Sequence, residues 1–114
     1  MGCSKLSGSI PELPPALVRG YRMFYNCSGL TGNVPELPDT LTSGEDMFVH
    51  CSGLSGTIPE LSSALIHGKN MFFSCTNLIG TAPTMPTSLT SYTDIFSGTQ
   101  ITNNETTPWP DSAW

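Results

Sequence analysis

The chain has 114 residues, the length of one domain, with 38% hydrophobic and only 11% charged residues. That composition is too apolar for disorder, and its polarity comes from Ser, Thr, Asn, 11 Gly and 10 Pro, as in turn-rich β proteins. The net charge of −5 leaves only Lys5, Arg19, Arg22 and Lys69 positive, which excludes the basic stripe of a nucleic-acid interface, and no apolar run approaches the ~20 residues that span a bilayer.

The first residues, Met-Gly-Cys-Ser, lack the charged-then-apolar order of a signal peptide, so any export signal is expected to lie outside this sequence. Myristoylation would want Ser or Thr at position six, where Leu6 stands. From Cys3 onward one unit recurs. Cys3, Cys27, Cys51 and Cys75 are spaced by 24 residues, as are Leu6, Gly8, Pro11, Leu17 and Phe24 with their equivalents. Six positions are thus identical in all four copies, which divide the chain into 3–26, 27–50, 51–74 and 75–98, followed by a tail at 99–114. A unit this short cannot bury its own apolar face, so the copies must stack, each identical position becoming an inward ladder. Leu30, Val34, Leu37, Leu41, Met47 and Phe48 are therefore expected to be buried, with their equivalents one period away.

Within each unit the Leu-x-Gly-x-Ile/Val segment reads as the strand. In the second copy Leu30, Gly32 and Val34 would face in, Thr31 and Asn33 would face out, and Pro35 would end the pairing. The Gly-x-x-Met-Phe-x-x-Cys segment reads as a turn and one tight helical turn, or alternatively as a second strand, because Met-Phe-Tyr, Met-Phe-Val and Met-Phe-Phe are β-prone. The cysteines read as buried free thiols, although a disulfide between adjacent rungs lies within reach. A zinc site needs a Cys-x-x-Cys or a His pairing that the sequence lacks.

These residues carry a resemblance. Met-Phe-x-x-Cys-x-x-Leu-Thr/Ser-Gly followed by Leu-Pro-x-x-Leu-x-x-Gly-x-x-Met-Phe, over residues 3 to about 98, resembles the BspA-like bacterial leucine-rich repeats. The Leu-x-Gly-x-Ile-Pro core is also similar to plant-type leucine-rich repeats, but the Leu-x-x-Leu-x-Leu-x-x-Asn run of that type is missing. The resemblance implies a β-rich solenoid with one short parallel strand per 24-residue rung, turns and single helical turns lying on the other side. It further implies a bacterial surface or secreted protein used in adhesion or protein binding, by analogy of scaffold rather than of site.

Two sets of outward positions are candidate sites. Ser7, Ser9, Thr31, Asn33, Ser55, Thr57 and Thr81 make an uncharged, hydroxyl-rich strand face suited to a protein or glycan ligand. Flat Thr-x-Thr arrays also resemble some ice-binding β-solenoids, but this array is impure. Glu12, Glu36 and Glu60 form an acidic column that stops at Thr84 and could meet calcium or a basic partner, or be a solvated rim. His50 and His67 fall at different phases of the repeat and read as solvent-facing substitutions. No catalytic, cofactor-binding or metal residues are expected, because neither a nucleophile elbow nor a phosphate-cradling loop is visible. Of the two glycosylation patterns, Asn26-Cys-Ser abuts the cysteine ladder, leaving Asn104-Glu-Thr as the expected acceptor.

The tail leaves the repeat and carries Trp109 and Trp114, expected to lie over the open core as a C-terminal cap. The repeat begins two residues after Met1 without a matching cap. An exposed first rung is expected there, and with it a homo-oligomer, or a structural subunit that assembles through that N-terminal end.

Overall fold

The computed structural model describes residues 8–114; Ser7, Cys3 and Lys5 lie outside them. The described chain is small and compact, with a Cα radius of gyration of 12.6 Å and extents of 37 × 29 × 20 Å. Among the described residues helix is confined to one 3-10 turn at Asp111–Ala113. Strand β1 (Gly8–Ser9) pairs in parallel with β2 (Leu30–Thr31), forming a two-stranded sheet.

The strands are shorter than the alternating pattern predicts, and glycine is the reason. Gly8, Gly32, Gly56 and Gly80 take φ between 80° and 89°, which breaks the extended backbone after the leucine. Gly32 is consequently exposed rather than directed inward, while Leu30 and Val34 on either side are buried. The glycine also staggers the pairing: Gly8 faces Leu30, Gly32 faces Leu54 and Gly56 faces Leu78, a step of 22 residues instead of 24. Farther round each unit the full 24-residue step returns, Arg19 bridging to Ser43, Ser43 to His67 and His67 to Ser91.

The Gly-x-x-Met-Phe-x-x-Cys segment is neither a helical turn nor a strand. It is a ribbon of consecutive turns, whose N–H groups alternate between two partners. Met47 N–H and Cys51 N–H close turns onto the carbonyls of Gly44 and Phe48. Gly44, Asp46, Phe48 and His50 instead donate to the next unit, at the carbonyls of His67, Lys69, Met71 and Phe73. Arg22, Asn26, Asp46, His50, Asn70, Ser74 and Asp94 all sit at φ between 53° and 61°, the left-handed region that stops each turn from propagating into a helix.

Inside these ladders lies one continuous core. Phe24, Phe48, Phe72 and Phe96 stack nearly face to face, with centroids 5.6, 5.5 and 6.2 Å apart. Met47 and Met71 fold over Gly20 and Gly44, where a Cβ would come within 2.7 Å of the methionine sulfur. Leu30, Val34, Leu37, Leu41, Met47 and Phe48 are all buried. The first unit departs from its equivalents: Met23 is 41% exposed and Phe24 only half-buried.

Burial governs the cysteines too. Cys51 and Cys75 are free buried thiols, each donating to the phenylalanine carbonyl one unit back (Phe24 at 3.0 Å, Phe48 at 2.9 Å). Desolvation pushes the Cys51 thiol up to about 11 and raises Cys75 further. Cys27 is disulfide-bonded, which corrects the reading of the ladder as free thiols throughout.

Residues 99–114 make a shortened further layer. Gln100 and Thr102 N–H donate to Leu78 and Gly80, while Asp94 and Phe96 N–H donate to Ser112 and Ala113. Trp109 is buried edge-on against Phe96 at 4.9 Å, and Trp114 lies against the same ring at 5.1 Å. Asn103 fixes Trp109 in place, accepting its backbone N–H at 2.8 Å and donating to its carbonyl at 3.1 Å; the indole N–H reaches Pro83 O at 2.8 Å.

Candidate functional site

Two surfaces stand out from this frame. On the first, Ser9, Thr31, Asn33, Ser55, Thr57 and Thr81 are all exposed; Ser7 lies outside the described residues. The positive-φ glycines decide how these side chains lie. Asn33 Oδ1 sits 2.6 Å from where a Cβ on Gly56 would be, and Thr57 Cγ2 holds the same relation to Gly80 at 2.7 Å. Asn33 and Thr57 therefore lean across the glycine of the next unit and fill the space its missing side chain leaves, and Ser9 does so more loosely over Gly32.

The 22-residue stagger also rearranges the expected rows. Ser9 faces Thr31 across the sheet, and the same step sets Asn33 beside Ser55 and Thr57 beside Ile79. Ile79, 47% exposed, thereby becomes an apolar member of the face. Thr81 bridges to Thr102 of the tail, so the face continues past the last repeat. Thr102 and Gln100 escape notice in the sequence because the tail is out of phase with the period that reveals everything else. The face carries no charge, and its glycine-broken backbone departs from a flat Thr-x-Thr array.

The second surface is a groove of 690 Å³ on another side of the units. Glu12, Glu36 and Glu60 line it together, joined by Asp39, over a floor of Leu13, Leu37 and Leu61 walled by prolines. All three glutamates are exposed. Proline explains the concavity. The Pro-Glu-Leu segments, followed by a further proline in the first two units and by Ser62 in the third, have few N–H groups to give, and no backbone-to-backbone hydrogen bond joins residues 10–16, 34–40 and 58–64 to one another. Hydroxyls tie the units together instead: Thr40 Oγ1 donates to Leu17 O at 2.7 Å, and buried Ser62 donates to Asp39 O at 3.1 Å.

The remaining candidates are dispersed. His50 and His67 are exposed on the ribbon side, His50 edge-on to Phe73 at 5.9 Å. Arg22 pairs with Asp46 at 3.4 Å and lies over the rings of Tyr21 and Tyr25. Asn104 is a poorer glycan acceptor than its sequence suggests. Its amide donates to Ala82 O and its carbonyl oxygen accepts from Thr106 and Thr107, whereas Asn26 is exposed. Among the described residues, no cluster of three or more His, Cys, Asp or Glu could hold a metal ion, and no helix is long and apolar enough to cross a membrane. No family model, curated protein or solved structure matches the chain.

Proposed function

We propose that this chain is a non-catalytic binding module, a short leucine-rich-repeat solenoid of the BspA-like kind, carried by a surface or secreted bacterial protein and used in adhesion. The observation that supports it best is the strand face. Six of its expected members are exposed and uncharged, and three of them, Ser9, Asn33 and Thr57, pack over the next unit's glycine, which gives a partly preorganised array of hydroxyl and amide groups suited to a protein or glycan ligand. Leucine ladders, stacked phenylalanines and cross-unit hydrogen bonds at a 24-residue step support the solenoid reading. A defined oligosaccharide array probed with the wild type and with Thr57→Arg tests the face. Binding that survives the arginine unchanged would remove the face from the mechanism.

A second reading, self-assembly through the first unit, is favoured by Met23 and Phe24. Their equivalents Met47 and Phe48 are fully buried by the unit stacked on them, so a second copy seated here would complete the same packing. Light scattering across a wide concentration range tests it, a monomer at every concentration being the contrary result.

A further inference from the structure

We propose that the groove across the first three units is a docking site for an extended, arginine- or lysine-bearing segment of another protein, separate from the strand face. Three properties of the groove lead there. It lies where proline has removed the backbone-to-backbone ladder between units, leaving a concave strip lined by Leu13, Leu37 and Leu61, each only 6–8% exposed, and by Pro15, Pro38 and Pro59. Its rim is of one sign: Glu12, Glu36, Asp39 and Glu60 line it and no cation does. The described cations are elsewhere, Arg19 on the 24-residue bridge ladder and Arg22 and Lys69 on the turn ribbon, so none of them neutralises the rim from within.

An extended occupant suits the unit spacing. The phenylalanine rings of successive units stand 5.6 and 5.5 Å apart, so three units span about 11 Å at the stack. An extended chain laid across the units repeats its side chains every second residue at ~6.6 Å, so three alternate basic residues cover ~13 Å, within the reach of flexible arginine stems. Intervening apolar or proline residues would face the leucine floor.

The test uses a fluorescein-labelled octapeptide of alternating arginine and valine, a sequence that favours the extended β conformation with its arginines on one side, with glutamine–valine and glutamate–valine counterparts as controls. Fluorescence anisotropy should show saturable binding of the arginine peptide alone, weakening as salt is raised from roughly 20 to 300 mM. Replacing Glu12→Gln, Glu36→Gln and Glu60→Gln together should weaken it about tenfold, with Glu36→Gln alone carrying the comparison if the triple variant melts early. Thr31→Ala with Thr57→Ala, on the other face, should leave peptide binding unchanged. The proposal fails if the arginine peptide does not bind, or binds the triple variant as tightly as the wild type. It also fails if millimolar calcium alone binds at the glutamates and displaces the peptide, because the groove would then be a cation site.

Discussion

Replacing Phe48 by alanine removes the middle ring of the aromatic stack, and the structure fixes how much this should cost. Phe48 is fully buried between Phe24 and Phe72, at 5.6 and 5.5 Å, with ring planes inclined by 12° and 4°. Truncation of a buried phenylalanine costs about 3–5 kcal/mol, transfer and cavity together. Neighbouring units cannot close the gap, since their separation is set by the ribbon hydrogen bonds on both sides of the ring, such as Phe24 N–H to Met47 O at 2.9 Å and Phe48 N–H to Met71 O at 2.9 Å. The upper half of the range is therefore expected. Phe24→Ala is the internal control: the ring is half-buried and has one stacking partner among the described residues, so its loss should cost about 1–2 kcal/mol. Urea unfolding followed by tryptophan fluorescence is the assay. Trp109 and Trp114 report from the far end of the stack, two units beyond Phe48, so a midpoint shift there at constant slope also shows that the units unfold together. Equal costs for Phe24→Ala and Phe48→Ala would refute the argument from stacking. So would a Phe48→Ala protein whose tryptophan transition does not move.

Other substitutions separate rigid from yielding contacts. A Cβ on Gly53 would run into the backbone carbonyl oxygen of Leu30, so Gly53→Ala should cost more than about 2 kcal/mol in the same unfolding assay. Gly44→Ala meets only the flexible end of Met71 and should cost clearly less, a reversed order being the adverse result. Asn103→Ala deletes the two hydrogen bonds at the Trp109 backbone and leaves the indole's bond to Pro83; a red-shifted emission and a loss of about 1–3 kcal/mol are expected, and unchanged emission would deny the clamp. Mass spectrometry with alkylation under non-reducing denaturation should label Cys51 and Cys75 but not Cys27, and native protein should resist the reagent. The thiols also set an alkaline limit. Cys51 ionises near 9.0 when unfolded and near 11 when folded, so the folded state holds its proton longer. That stability is fully present below pH 9 and drains away as the pH climbs toward about 11; a Cys51→Ala protein should show a flatter decline across that window.

Most of the interior was legible in the sequence because identity at a fixed period has one economical cause, a shared packed ladder. Leu30, Val34, Leu41, Met47 and Phe48 follow from it directly. What escaped was conformation at positions where the period is silent about φ. Gly32 and its equivalents recur, and recurrence alone suggested a small inward residue; the positive φ instead turns the backbone outward and shifts the pairing by two residues. At the Met-Phe-x-x-Cys ribbon Asn26, Asp46, His50, Asn70 and Asp94 are types that enter the left-handed region readily, but they are equally common in polar loops, and Arg22 and Ser74 at the same two phases carry no such signal. Of the two candidate surfaces, the glutamate column was visible as a column, but the groove behind it depends on prolines withholding hydrogen bonds, a feature of the assembled units.

The left-handed residues of the ribbon have a consequence for how such a chain comes to be ordered. A non-glycine residue in that region costs on the order of 1–2 kcal/mol, and each unit contains one or two of them. What holds them is outside the unit: Asp46 and His50 keep their conformation while their own N–H groups donate to Lys69 and Phe73 of the neighbour. A single copy released from its neighbours would have the cost without the compensating bonds, and its ribbon would relax. Order in one copy therefore depends on a neighbour already in place. Whole copies can be gained or lost between neighbours at little expense, while half a copy cannot, and lengths differing by multiples of 24 residues are the variation this architecture tolerates.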